Sequence, residues 1–184
     1  MKLFPGILSA FLGISLLLSL QSCMYVVKDG VDDAILLSRR YLADGDFQKA
    51  LDTHMNACAK YPEDQTLFRS YVSTVEEIKK NAGIAFDRND FASAGRIYNI
   101  LIKNYSDFRG ISHSISFDRA FLIARIKECR SQLTQKGLEQ YRKGNIRNAI
   151  SIWESLLEFD PDNTEIRKAV ENATTQLKNL QEKK

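Results

Sequence analysis

The chain has 184 residues, 44% of them hydrophobic and 27% charged, a balance that suits one globular domain plus a targeting segment. Three prolines and nine glycines are too few for a disordered or multi-linker chain. The net charge of +3 falls to +2 once residues 1–22 are set aside, which excludes the clustered basic surface of a nucleic-acid binder. The first element in chain order is that targeting segment, residues 1–22. Lys2 supplies a positive start, and Ile7 to Leu20 form an apolar run interrupted only by Ser9, Gly13, Ser15 and Ser19. No basic cluster follows to stop transfer; Lys28 stands alone.

The segment ends in Leu20-Gln21-Ser22-Cys23. An aliphatic residue at −3, a small residue at −1 and a cysteine at +1 resemble the lipobox of bacterial lipoprotein precursors. The resemblance implies cleavage before Cys23 and acylation of its thiol, since a thiolate is the nucleophile that takes up the lipid. Several acyl chains on one residue hold a protein firmly, at roughly 0.8 kcal/mol per buried CH₂. An uncleaved signal anchor and an ordinary secretory signal are the alternatives. With Met24 rather than aspartate after the cysteine, the resemblance implies the outer membrane, facing the periplasm. Residues 23–31 would then be a short lipidated tether.

Residues 32–162 read as a helical repeat domain. Three segments align: Gly45-Asp46-Phe47-Gln48-Lys49-Ala50-Leu51, Asn89-Asp90-Phe91-Ala92-Ser93-Ala94-Gly95 and Gly144-Asn145-Ile146-Arg147-Asn148-Ala149-Ile150. Each is followed at equal offsets by a ring and two packing residues: His54, Ala57 and Cys58; Tyr98, Leu101 and Ile102; Trp153, Leu156 and Leu157. That spacing is one face of an amphipathic helix. Another periodic helix precedes each turn, through Leu37, Tyr41 and Leu42, through Val75, Ile78, Ala82, Ala85 and Phe86, and through Leu133, Gly137, Leu138 and Tyr141. Gly45, Asn89 and Gly144 stand where a positive φ costs least. The expected fold is therefore all-α, made of antiparallel helical hairpins.

These segments resemble the tetratricopeptide repeat family, over about residues 31–163. The small contact residue of the first helix is matched by Ser38, Ala82 and Gly137, the alanine of the second helix by Ala50, Ala94 and Ala149, and the closing proline by Pro62 and Pro161. The second copy has Ser106 in place of the proline, and the turns are spaced more widely than the 34 residues of a continuous array. The surplus reads mostly as helix, with Phe117, Ala120, Phe121 and Ala124 leading toward Cys129 and Leu133. First helices of about 22 and 27 residues are expected in copies two and three, each continuous or broken into two. Ser106 to Ser116 is the one sizeable loop. Residues 163–184 read as a capping helix with an apolar stripe of Ile166, Ala169, Val170, Ala173, Leu177 and Leu180, started by a capping box of Asp162 and Glu165.

No set of catalytic or metal-binding residues is expected, and no cofactor beyond lipid on Cys23. His54 occupies a ring-packing position, His113 is alone in a loop, and Asp32-Asp33 suit a helix start. Cys58 and Cys129 read as packed thiols, with a disulfide as the alternative. The resemblance implies a partner surface on the first helix of each hairpin, at Arg39, Leu42, Lys79, Phe86, Leu138, Tyr141 and Arg142. Cations with rings suit a protein segment carrying acidic and apolar side chains. The implied role is a membrane-tethered scaffold or adaptor in a cell-envelope complex for secretion, pilus, surface-polymer or outer-membrane assembly. Its partner would be a membrane-embedded or membrane-docked envelope protein, with no nucleic acid and no small-molecule substrate. The alternative is a glycan- or peptidoglycan-binding module, against which the sole tryptophan, Trp153, stands at a packing position.

Overall fold

The structure, a computed structural model, describes residues 30–182. The lipobox reading of residues 1–23 lies outside the described residues. Among the described residues there are helices and no strands: α1 (30–43), α2 (Phe47–Lys60), α3 (Gln65–Asp87), α4 (Phe91–Lys103), α5 (Arg119–Arg142), α6 (Ile146–Leu157) and α7 (Thr164–Glu182). The all-α expectation holds.

One turn is used three times. Gly45, Asn89 and Gly144 have φ of 78°, 60° and 80°. At each, the residue's N–H and its successor's reach back into the preceding helix: Gly45 to Leu42 and Asp46 to Tyr41, Asn89 to Phe86 and Asp90 to Ala85, Gly144 to Tyr141 and Asn145 to Gln140. Paired bonds of this kind satisfy the orphan carbonyls at a helix end, and the left-handed residue turns the chain back. The next helix then starts at once. Asp90 also caps α4, its side chain accepting from the Ser93 N–H.

The chain divides into two compact units, the first ending at Tyr71 and the second beginning at Val72. In the first, Val31 and Ile35 of α1 pack with Ala57 and Leu67, with Ala34, Cys58 and Tyr61 alongside. Ser38 donates to the Ala50 carbonyl at 3.0 Å, both residues fully buried, so the hairpin helices touch at their small residues. The buried side of α1 runs Val31, Ile35, Ser38, whereas Leu37, expected on the inner face, is 40% exposed. The three inward residues lie within 60° of one another on a helical wheel, and Leu37 falls more than 90° away from them.

In the second unit α4 packs on α5, α5 on α6 and α6 on α7. Ala94 and Ala149 are fully buried at the equivalent helix contacts. A Cβ on Gly137 would overlap the Trp153 indole, and one on Gly95 the Phe159 ring, so glycine sets how closely these elements approach. Both long first helices are continuous, with 23 residues in α3 and 24 in α5. Helix α5 starts later than the sequence pattern suggests, because Asp118 caps it by accepting from the Phe121 N–H at 2.7 Å and leaves Phe117 outside. Its buried stripe is Leu122, Ile126, Cys129, Leu133 and Gly137, while Ala120 and Ala124 are exposed. The loop after α4 contains a 3₁₀ turn, Tyr105–Gly110, pinned by buried Phe108 and Ile111. The cap of α7 is Asn163, whose side chain accepts from Ile166, and not the Asp162–Glu165 box. Of the α7 stripe, Ile166 and Ala173 are buried and Leu180 is half exposed.

Candidate functional site: a cationic aromatic groove

The C-terminal half of α3 carries Lys79, Gly83, Phe86 and Asp87 at helical spacing, so one side of the helix bears a ring flanked by charges. Tyr98 of α4 and Phe121 and Arg125 of α5 complete a concave groove of about 390 Å³. Tyr98 is 1% exposed and forms the floor, meeting Phe121 edge-on with centroids 6.1 Å apart. Burial raises the pKa of its hydroxyl. Phe86 meets Phe91 edge-on at 5.2 Å, which holds its ring in place. Gly83 leaves the wall low: a Cβ there would meet only the Tyr98 hydroxyl, at 3.9 Å.

Cations cover these rings. The Arg125 guanidinium lies 4.7 Å from the Phe86 centroid and 5.5 Å from that of Phe121. Lys79 Nζ sits 5.8 Å from Phe121, donates to Ser116 Oγ at 3.0 Å and is 4.0 Å from Glu76. Ser116 in turn donates its backbone N–H and its hydroxyl to Glu76, which ties the end of the loop to α3. Lys79, Lys80 and Arg125 outnumber Asp87 along the groove. A guanidinium stacked on two rings keeps N–H groups at its edge for a carboxylate. The arrangement offers flat apolar contact and positive charge together.

Of the sequence-predicted contact residues, only Lys79 and Phe86 line this groove. Arg39, exposed, and Leu42, half-buried, belong to the first unit. Leu138 and Arg142 are exposed on α5 but lie outside the groove. Tyr141 is engaged elsewhere: its ring packs 5.9 Å from Trp153 and its hydroxyl donates to Gln176 of α7. The capping helix has claimed the residue that would otherwise extend the aromatic surface. Arg125 is absent from the sequence-predicted set. Its signal is the i, i+4 spacing from Phe121, which puts cation and ring on one helix face.

The remaining chemistry is structural. His54 is fully buried, its ring nitrogens within 3.3 Å of the Ala50 carbonyl and 3.1 Å of Ser70 Oγ, and it stacks on Tyr71. Desolvation lowers its pKa, so the neutral ring is the buried form. Cys58 and Cys129 are free thiols, and burial raises the pKa of Cys129 to about 11. Among the described residues no cluster of His, Cys, Asp and Glu is placed to hold a metal ion, and no helix is long and apolar enough to cross a membrane. Comparison with family models, characterised proteins and solved structures gave no match to this chain.

Proposed function

We propose that the chain is a lipid-anchored helical-repeat adaptor that holds another envelope protein by a segment seated in the groove between α3, α4 and α5. The observation that carries this reading is the stack of Arg125 on Phe86 and Phe121 beside Lys79, over a Tyr98 floor. Such a surface recognises a segment that alternates acidic with apolar or aromatic side chains, because rings provide contact area and cations set the charge. The lipobox-like Leu20-Gln21-Ser22-Cys23 supports an anchor, and the tetratricopeptide-like register supports a scaffold. That link from fold to role is analogy.

The test is affinity capture from detergent-solubilised envelopes with tagged full-length protein, set beside a Lys79→Glu/Arg125→Glu variant. One reproducible protein partner is expected, reduced at least about tenfold by the variant, as for loss of a central cationic anchor. An unchanged circular dichroism melt shows that the variant is folded. Capture of glycan without protein, or equal capture by a folded variant, contradicts the reading.

A further inference from the structure

Helix α1 exposes two large apolar side chains among charged ones. Leu36 is 60% and Leu37 40% exposed, and they are neighbours in sequence. Val31, Ile35 and Ser38 are buried on one side of the helix. At 100° per residue, Leu36, Arg40 and Leu37 fall on the opposite side together with exposed Asp33, and Arg39 lies between that side and the buried stripe. Arg39 and Arg40 are both exposed, and the ion pairs among the described residues involve neither.

The tether decides what this face can meet. Only Met24 to Asp29 separate Cys23 from the first residue of α1. Fully extended, that stretch spans at most about 25 Å. Leu36 lies roughly 9 Å further along the helix. A face held this close to a bilayer encounters it at a high effective concentration, so even a weak surface affinity keeps it docked.

We propose that the outer face of α1 docks on the phospholipid surface. Leu36 and Leu37 enter the boundary between headgroups and acyl chains, and Arg39 and Arg40 pair with lipid phosphates. This inference rests on the reading of Cys23 as acylated. Leucines with flanking arginines have the chemistry of an interfacial helix, apolar contact below and cations at headgroup level. Asp32 and Asp33, exposed on the first turn, oppose anionic lipid, so the arginine end of the helix lies deeper than its start. Docking fixes the orientation of the first unit at the membrane, which a lipid chain alone leaves free.

The experiment uses full-length protein from a lipoprotein-processing bacterium, with acylation of Cys23 read from its intact mass. Leu36→Trp protein is reconstituted into phosphatidylethanolamine–phosphatidylglycerol vesicles, with and without bromine near the top of the acyl chains. Trp153 is 4% exposed and serves as the internal reference. The proposal expects bromine to quench the emission of the introduced indole about twofold in acylated protein, with the wild-type signal unchanged. It also expects Arg39→Glu/Arg40→Glu in the same background to abolish the quenching. Acylated protein whose introduced indole is unquenched overturns the docked face, and a blue-shifted but unquenched emission overturns it in favour of a protein occupant. A mass without acyl chains defeats the anchor reading and, with it, the short reach of the tether.

Discussion

Gly137 and Trp153 share one small volume between α5 and α6. The indole lies where a Cβ would stand, and its Nε1 donates to the Thr134 carbonyl at 3.4 Å. Gly137→Ala is therefore expected to destabilise the chain by about 1–3 kcal/mol, although alanine is the better helix former by about 1 kcal/mol. Gly83→Ala, whose Cβ would meet only the Tyr98 hydroxyl at an ordinary contact distance of 3.9 Å, should stabilise by roughly 0.5–1 kcal/mol. Urea denaturation of both variants checks the pair, and equal signs would contradict the packing described. His54 gives a pH signature. Its folded pKa lies below the ordinary value of 6.5, so the unfolded chain binds the extra proton. Stability conferred by neutral His54 is complete above about pH 6.5 and is lost as pH falls toward the folded pKa. The urea midpoint should fall between pH 7 and 5.5, and His54→Phe should flatten that slope; an unchanged slope would refute the assignment. The buried roles of His54, Ala149 and Gly137 are legible in the sequence because each occupies a fixed offset from its turn. That of Arg125 is legible only in part: the i, i+4 spacing puts it beside Phe121 on α5, but no local pattern shows that Phe86 of α3 also lies under the guanidinium.

At the scale of elements, the three turns are the part most plainly written in the sequence. A left-handed residue, then Asp or Asn, then a large apolar residue recurs with nearly the same backbone each time: the second residue has φ, ψ of −79°, 60° at Asp46, −85°, 71° at Asp90 and −81°, 59° at Asn145. Asn89 is the one non-glycine with positive φ among the described residues, and its carbonyl also accepts from Lys136 at 3.1 Å. Asn89→Gly should be neutral or slightly stabilising, and Asn89→Val should cost about 1–2 kcal/mol, since a β-branched residue fits the left-handed region poorly. Thermal melts of the two variants check this, and a valine variant as stable as wild type would remove the argument. Helix starts are less legible. Asp118 and Asn163 win as caps over their neighbours because their side chains reach a backbone N–H three residues on. Asp160, Asp162, Asn163 and Glu165 cluster at the start of α7, so composition alone does not choose among them. At α5, by contrast, Asp118 is the one acid near the start, and only its position along the apolar pattern is ambiguous. The inner face of α1 is misread at Leu37 for a related reason: a run of apolar residues in Ile35-Leu36-Leu37 fits two adjacent stripes, and only packing against α2 selects one.

At the scale of the whole chain, the division into two compact units matters because the proposed role draws on both. The second unit bears the cationic aromatic groove, and the first unit bears the leucine–arginine face of α1. The helical hairpins are legible because periodicity is a local property. The division at Tyr71 is not, since it falls inside the continuous helix α3, where no glycine, proline or change of composition marks it. What would join these features into one function is the proposed lipid on Cys23, because an anchor there would give the tether its short reach and confine the groove to partners at the same membrane. The most direct measurement is metabolic labelling with an acyl probe, in cells producing the wild-type chain and Cys23→Ala at equal levels. Label on the wild type, together with an unlabelled variant that is unprocessed or released, is the expected result. Label that persists on Cys23→Ala, or none on the wild type, would contradict the account.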